Sequence, residues 1–251
     1  MRHTLSSIAL GAAALFAGQA FAAEVPSVVL VHGAFADGSD WAKVIPLLQA
    51  KGIHVTAVQN GLESLAGDAE ATRRAIDNQK GKVVLVGHSW GGSVITEAGQ
   101  NDKVAALVYV AAFAPDSGQS SAEVGKGYPA SPGVQKLTAD AKGWLTLPPQ
   151  AVAEDFAQDV PAAQAAVMAV TQGPLQAKAL EDRITVAAWK TRPSWFIVSA
   201  KDRMIPPDLE RAMAKKIGAV TTTLPTSHVP QQSRPKDVAA VILAAVKAST
   251  R

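Results

Sequence analysis

Val83-Val84-Leu85-Val86-Gly87-His88-Ser89-Trp90-Gly91-Gly92 is the stretch on which the reading of this chain turns. An apolar run of strand character leads into Gly-x-Ser-x-Gly, and a helix-compatible stretch follows. Strand, sharp turn, helix is the order of a nucleophile elbow, the device that presents a reactive serine. The glycines have a steric reason. A serine raised on so tight a turn brings the residues two positions to either side against the turn, and Gly87 and Gly91 carry no Cβ to collide. The helix beyond aims its free N–H groups and its positive end at any anion that forms on Ser89.

A serine hydroxyl is a poor nucleophile until a base takes its proton, and imidazole is the side chain suited to that near neutral pH. His228 stands in Pro225-Thr226-Ser227-His228-Val229, just after the strand-like Val220 to Leu224. Asp202 stands in Ala200-Lys201-Asp202-Arg203, just after Trp195-Phe196-Ile197-Val198. Ser, Asp, His is the α/β-hydrolase chain order, and both partners fall at carboxyl ends of strands, where sites form in open α/β sheets. A buried carboxylate would fix the histidine tautomer and stabilise the imidazolium. His3 lies in the leader, His54 within a strand pattern, and His32 and His88 on turns. His228 alone follows both Ser89 and an acid. Asp116 competes with Asp202, since it too follows a strand, Ala105 to Val110; Asp202 is preferred.

Acyl transfer also needs donors for an oxyanion. His32-Gly33-Ala34-Phe35 directly follows the strand Val28 to Val31. One backbone N–H is expected from Trp90, the residue after the serine, and a second from Ala34, with Gly33 permitting close approach of the backbone.

These segments together carry a family likeness. Val-Leu-Val-His-Gly-Ala at 29–34, Gly-His-Ser-Trp-Gly-Gly at 87–92, Ala-Ala-Phe-Ala-Pro-Asp at 111–116 and Asp-Arg-Met-Ile-Pro at 202–206 resemble the α/β-hydrolases that include plant methyl salicylate esterases and hydroxynitrile lyases. The resemblance runs from about Val28 to the end and is weakest from Ser117 to Lys190. It implies that the acid follows the penultimate strand, which supports Asp202, and that the aspartate at the position of Asp116 is not the triad acid. In the lyases of that family a threonine stands where this chain has Gly33 and a lysine where it has Val229. The glycine and apolar residue found here match the esterase pattern. Two departures bear on pocket shape: Trp90 replaces a smaller residue, and Pro230-Gln231-Gln232 replaces an apolar stretch.

The 251 residues, 48% of them apolar, suffice for one domain with an insertion. Arg2 and His3, an apolar run from about Ile8 to Phe16, and Ala20-Phe21-Ala22 have the pattern of a secretory signal peptide over residues 1–22, so export to a bacterial periplasm or beyond is expected. No stretch reaches about 20 uninterrupted apolar residues, so no membrane span is expected. The chain has no cysteine, which removes disulfides and zinc–thiolate sites. Its 24 basic and 21 acidic residues give a net charge of +3. The densest basic clusters, Arg73-Arg74 and Lys215-Lys216, read as solvated helix faces, so nucleic acid is not an expected partner. No metal-ligand spacing or phosphate-cradling glycine pattern occurs, and no cofactor is expected.

Strand-like runs at 28–31, 53–58, 82–86, 104–110, 194–199 and 219–224 alternate with helical stretches. This predicts an α/β-hydrolase fold with a mostly parallel sheet of about six strands, without the two leading strands that many such folds carry. From residue 23 to 251 it forms one domain. Between about 115 and 190 the alternation stops. A Gly/Ser/Pro-rich loop from Ser117 to Gly133 precedes three helical segments near 149–158, 161–172 and 174–182, each opened by proline. They are expected to form a helical cap over Ser89, with Phe35, Trp144, Leu145, Phe156 and Met168 lining a pocket for a small or medium ester and Trp189 packing beneath.

Overall fold

The computed structural model describes residues 25–250; the expected leader lies outside them. The chain opens with β1 (Ser27–Val31), a 3-10 turn (Gly38–Trp41), α1 (Ile45–Gln49), β2 (Val55–Val58), α2 (Leu65–Asp77), β3 (Val83–His88), α3 (Trp90–Ala98) and β4 (Val104–Val110). A long excursion holds α4 (Ser121–Val124), α5 (Pro132–Gln135), β5 (Thr138–Ala139), β6 (Trp144–Thr146), α6 (Pro149–Ala151), α7 (Ala162–Thr171) and β7 (Leu175–Gln176). The chain then returns through β8 (Ser194–Ser199), α8 (Pro207–Lys216), β9 (Val220–Leu224), α9 (Pro230–Ser233) and α10 (Pro235–Ala248).

Six strands form one parallel sheet in the order β2-β1-β3-β4-β8-β9. Side chains alternate across a strand, and this sheet is apolar on both faces. Val29, Val31, Leu85, Tyr109 and Phe196 face one core, with Ile95 of α3 and Met213 of α8. Val28, Leu30, Val84, Val86 and Ile197 face the other, with Trp41 and the stripe Val238, Val241, Ile242, Ala245 and Val246 of α10. That double burial is why the strands read as continuous valine- and leucine-rich runs. It also places β3, and the turn at its carboxyl end, in the middle of the sheet.

The excursion between β4 and β8 differs from the expected all-helical cap. The expected helix at 161–172 is α7. The one at 149–158 holds only one α-helical turn, α6, before widening to a π turn at Val152–Phe156. The third, at 174–182, is instead β7 followed by a 3-10 turn at Ala177–Glu181. β7 pairs with β6, and β6 with β5, in a small antiparallel sheet. The hairpin had a legible cause. Asp140 and Gly143 stand at the first and last positions of a four-residue turn, Gly143 N–H bonds to the Asp140 carbonyl at 3.0 Å, and Gly143 has a φ of 81°. Two short helices, α4 and α5, also interrupt the expected loop from Ser117 to Gly133.

The register at the sheet centre leaves no room at Gly91. A Cβ there would lie 2.5 Å from the Val31 carbonyl oxygen and 2.9 Å from that of His32, both backbone atoms of the neighbouring strand and its loop. Gly91→Ala is therefore expected to lower stability by about 3 kcal/mol or more, at the severe end of overpacking. Gly61→Ala, where the nearest atom is 3.9 Å away, should be close to neutral. Chemical denaturation of the two variants checks the contrast.

Candidate active site

Ser89 occupies the turn between β3 and α3 with φ 53° and ψ −120°. A non-glycine residue with positive φ costs on the order of 1–3 kcal/mol and persists only where its surroundings enforce it. Here Ser89 N–H donates to the Val110 carbonyl at 3.2 Å, and the Ser89 carbonyl accepts from Gly92 N–H at 2.9 Å and Phe113 N–H at 3.2 Å. A Cβ on Gly87 would run into the backbone of Gly91 and Gly92, so the elbow needs both of its glycines.

His228 and Asp202 meet this serine from the ends of β9 and β8. His228 Nε2 lies 2.8 Å from Ser89 Oγ, and His228 Nδ1 lies 2.5 Å from Asp202 Oδ2. The second Asp202 oxygen, Oδ1, accepts the N–H groups of Met204 at 2.6 Å and Ile205 at 2.9 Å. Three donors thus converge on one buried carboxylate. All three side chains are buried. Asp116 sits elsewhere, paired with Lys190 Nζ at 2.5 Å and Lys216 Nζ at 3.4 Å. Trp189, half-buried beside it, donates its indole N–H to the Pro115 carbonyl at 2.9 Å.

The other histidines have separate places. His54 is exposed. His32 donates from Nδ1 to the Gly33 carbonyl at 2.8 Å and accepts at Nε2 from Asn60 N–H at 2.9 Å, which defines one neutral tautomer. His88 donates from Nε2 to the backbone carbonyl of His228 at 2.8 Å, so it holds the loop that carries His228. Its Nδ1 faces Asp40 Oδ2 at 3.4 Å. Asp40 in turn accepts from the side-chain amides of Gln231 at 2.6 Å and Gln232 at 2.9 Å. The Pro230-Gln231-Gln232 departure therefore ties α9 to the 3-10 turn after β1. Burial pushes the Asp40 carboxyl up. Burial, followed by the neighbouring His228 charge, holds His88 well below the ordinary histidine value.

Ala34 and Trp90 both border the cavity that opens at Ser89. Trp90 begins α3, where the first N–H groups have no partner within the helix, and Ala34 N–H bonds to no acceptor among the described residues. The Trp90 indole points away, donating to Asp68 Oδ2 at 2.8 Å, while Asp68 Oδ1 accepts Leu62 N–H at 3.0 Å. The bulky residue after the serine thus anchors α2 and leaves the pocket open.

The cavity holds about 320 Å³. Of the five side chains expected to line it, Phe35 and Leu145 do. Trp144, the first residue of β6 and pointing opposite to Leu145, borders a separate outer groove beside Asn60 and Asp140. Met168 borders a second outer groove near Lys43. Phe156 is buried beneath the pocket, edge-on to the His228 ring at 5.2 Å. Sequence reasoning missed Phe113, Tyr128, Leu180, Met204 and Leu209, which also line the cavity. Met204 was the most accessible of these, since it lies two residues after Asp202 in a loop at the carboxyl edge of the sheet.

The model of the alpha/beta hydrolase family matches residues 28–241. The chain belongs to that family. Among its relatives, the pyrethroid hydrolase of Sphingobium wenxiniae is 28% identical over 87% of this chain and 86% of its own. Methylesterase 3 of Arabidopsis thaliana is 28% identical over 86% of this chain and 94% of its own. The crystal structure of a pyrethroid hydrolase from Sphingobium faniae JZ-2 superposes with a TM-score of 0.77 at 23% identity, covering 90% of this chain and 98% of that one.

The direction of the His88 shift fixes a pH effect on stability. A group held below its unfolded value stays neutral in the folded state while the unfolded chain takes up a proton. Its contribution is therefore present above about pH 6.5 and lost as pH falls through and below that value, by at most about 1.4 kcal/mol per pH unit. Denaturation between about pH 7.5 and 5.5 should show a steeper loss in the wild type than in His88→Gln, which keeps an N–H donor and has no titrating ring. Parallel losses would mean that His88 takes up its proton equally in the folded and the unfolded protein.

Proposed function

We propose that the protein acts as a cofactor-free serine esterase in which Ser89 is the nucleophile, His228 the general base and acid, and Asp202 the group that orients His228. The observation that carries this reading is the unbroken chain from Asp202 Oδ2 through the His228 ring to Ser89 Oγ, with contacts of 2.5 and 2.8 Å, opening on the cavity. Ser89 Oγ attacks the ester carbonyl carbon while His228 Nε2 takes the hydroxyl proton. The N–H groups of Ala34 and Trp90 hold the resulting oxyanion. Collapse of the intermediate breaks the bond to the alcohol oxygen, which receives the proton from His228. Water, deprotonated by His228, then attacks the acyl-enzyme and releases the acid.

The cavity lining supports an uncharged substrate. Among the described residues no lysine, arginine, aspartate or glutamate borders it, and an unpaired charge brought into such a site costs several kcal/mol. Its volume fits a small or medium ester. The relatives named above carry the names of an ester-cleaving pyrethroid hydrolase and a methylesterase, in keeping with that chemistry. Export is part of the proposal and rests on the leader pattern at residues 1–22; sequencing of the mature N-terminus tests it, and a start at Met1 would overturn it. Among the described residues no helix is long and apolar enough to cross a membrane.

Ser89→Ala should leave a folded protein with ester turnover reduced by several orders of magnitude, on the order of a million-fold as in a well-studied serine protease. An organophosphate should label the wild type on Ser89. Asp202→Asn should cost about ten thousand-fold, because an amide can hold the histidine in the wrong tautomer. Asp116→Asn should cost far less. Steady-state kinetics on an uncharged aryl ester reads all three, and a reversed order for the two aspartates would transfer the acid's role to Asp116.

Two positions favour the esterase over a hydroxynitrile lyase. A Cβ on Gly33 would lie 2.7 Å from Ser89 Cβ, so no hydroxyl-bearing side chain fits there, and the buried Val229 supplies no cation. Cyanide leaving into this cavity would meet no lysine or arginine among the described residues that line it. The purified protein is expected to hydrolyse an aryl ester and to release no cyanide from mandelonitrile above the spontaneous rate.

A further inference from the structure

A second carboxyl group lies behind the proposed triad. Glu210, in the second half of the first turn of α8, is fully buried. Its Oε2 accepts one hydrogen bond, from Ser199 N–H at 2.9 Å, while Oε1 is buried and receives no donor. Ser199 binds both residues, donating its N–H to Glu210 and accepting Asp202 N–H at its carbonyl at 3.1 Å, so the Glu210 carboxyl lies against the turn that carries Asp202, with the two side chains close enough to interact. Among the described residues no cation pairs with Glu210, and the charge of Arg211 only partly offsets its burial. Arg211, next to it on α8, is half exposed and bonds to Asp208 at 2.7 Å. From the loop after β8, Lys201 is exposed and Arg203 bonds to Asp155 at 2.7 Å. His228 faces Asp202 from the loop after β9.

Two carboxyl groups in contact in a dry interior do not both ionise; they share one proton. Which of them carries it follows from their partners. Asp202 accepts Met204 N–H, Ile205 N–H and His228 Nδ1–H, and three donors favour its charged form. Glu210 has a single backbone donor. We infer that Glu210 is held as a neutral carboxylic acid that donates its proton in a hydrogen bond to Asp202, and that it serves as a positioning residue for the reaction. Burial, reinforced by the adjacent Asp202 charge, pushes the Glu210 carboxyl well above the usual carboxylate range, in agreement with this assignment.

The donated hydrogen bond has two consequences. It adds a fourth donor to the Asp202 carboxylate and so fixes the plane from which Oδ2 addresses His228. It also keeps a second negative charge away from the imidazolium that forms during turnover. Glu210 itself neither lines the cavity nor bonds to Ser89, so it acts only through Asp202. This inference rests on the triad assignment above for its effect on turnover, and on the Glu210–Asp202 contact alone for the location of the proton.

The test compares the wild type with Glu210→Gln and Glu210→Leu. Difference infrared spectra at neutral pH should show a protonated-carboxyl C=O band in the wild type that both substitutions remove. Glu210→Gln, whose amide N–H can replace the acid's O–H, should keep kcat and KM near the wild type and leave the acid limb of the kcat/KM profile in place. Glu210→Leu should unfold cooperatively yet lose roughly ten- to a hundred-fold in kcat with KM little changed, the scale of a misplaced catalytic group. Absence of the band, or an acid limb displaced to lower pH in Glu210→Gln, would show that Glu210 is ionised and overturn the inference. Unchanged kcat in a folded Glu210→Leu would overturn the positioning role. Should that variant fail to fold, the band and the glutamine profile still decide. The infrared band needs no ester turnover, so failure of the serine mechanism itself, seen as an active Ser89→Ala, is read separately.

Discussion

The strained backbone of Ser89 is the constraint around which the molecule is arranged. With φ at 53°, the residue stays in place only because its peptide groups are bound on both sides, by Val110 from β4 and by Gly92 and Phe113. Those partners exist because β3 lies at the centre of a parallel sheet, between β1 and β4. The strain on this one residue is small beside what the two apolar cores contribute, since each buried valine or leucine is worth about 1.5–3 kcal/mol. The same crowding that holds the turn excludes side chains at Gly87 and Gly91 and brings the loop after β1 against the serine.

His228 and Asp202 are fixed by a different means. Their loops leave the ends of β8 and β9 anchored in the core by Met204, Ile205 and Val229, and polar contacts to distant segments hold them further. His88, Asp40, Gln231 and Gln232 bind the His228 loop to β3 and to the turn after β1. Asp159 of the excursion accepts Ser227 N–H at 2.8 Å. Buried polar groups so connected are costly to disrupt, because removing one leaves its partner unsatisfied in a dry site. Precision at His228 thus comes from side chains that bind its loop, and precision at Ser89 from hydrogen-bonded backbone in the crowded centre of the sheet.

How much of this the sequence revealed follows from the range of each interaction. The six core strands were legible because each is a local apolar run bounded by turn residues, and the elbow because its glycines lie within two residues of the serine. The order of Ser89, Asp202 and His228 was legible from strand ends alone. The contacts of Asp40 with Gln231 and Gln232 span some 190 positions, and no local pattern announces them. Glu210 reads as one more acid in a helix whose surface is rich in charge. The cap misled for another reason. Prolines open helices, but Pro174 precedes a two-residue strand, because Leu175 pairs with Leu145. Once Leu145 faces inward, the alternation of β6 turns Trp144 out, so a correct strand assignment would also have corrected the pocket.

The excursion does more than shape the cavity. Phe156, from its π turn, packs edge-on against the His228 ring at 5.2 Å and against Phe35 at 6.5 Å. It therefore covers one side of the proposed base, and it joins the cap to the loop bearing Ala34. Water kept from that ring cannot screen the charges that arise as the proton moves, and the hydrogen bonds around it act at the strength of a low-dielectric site. The core supplies the reacting groups in fixed positions, while the cap supplies the apolar walls of the cavity. Changes in Leu145, Leu175 and Leu180 would then alter which ester fits, because they line the cavity. Changes in Phe156 would act on the base itself, although it lies in the same excursion.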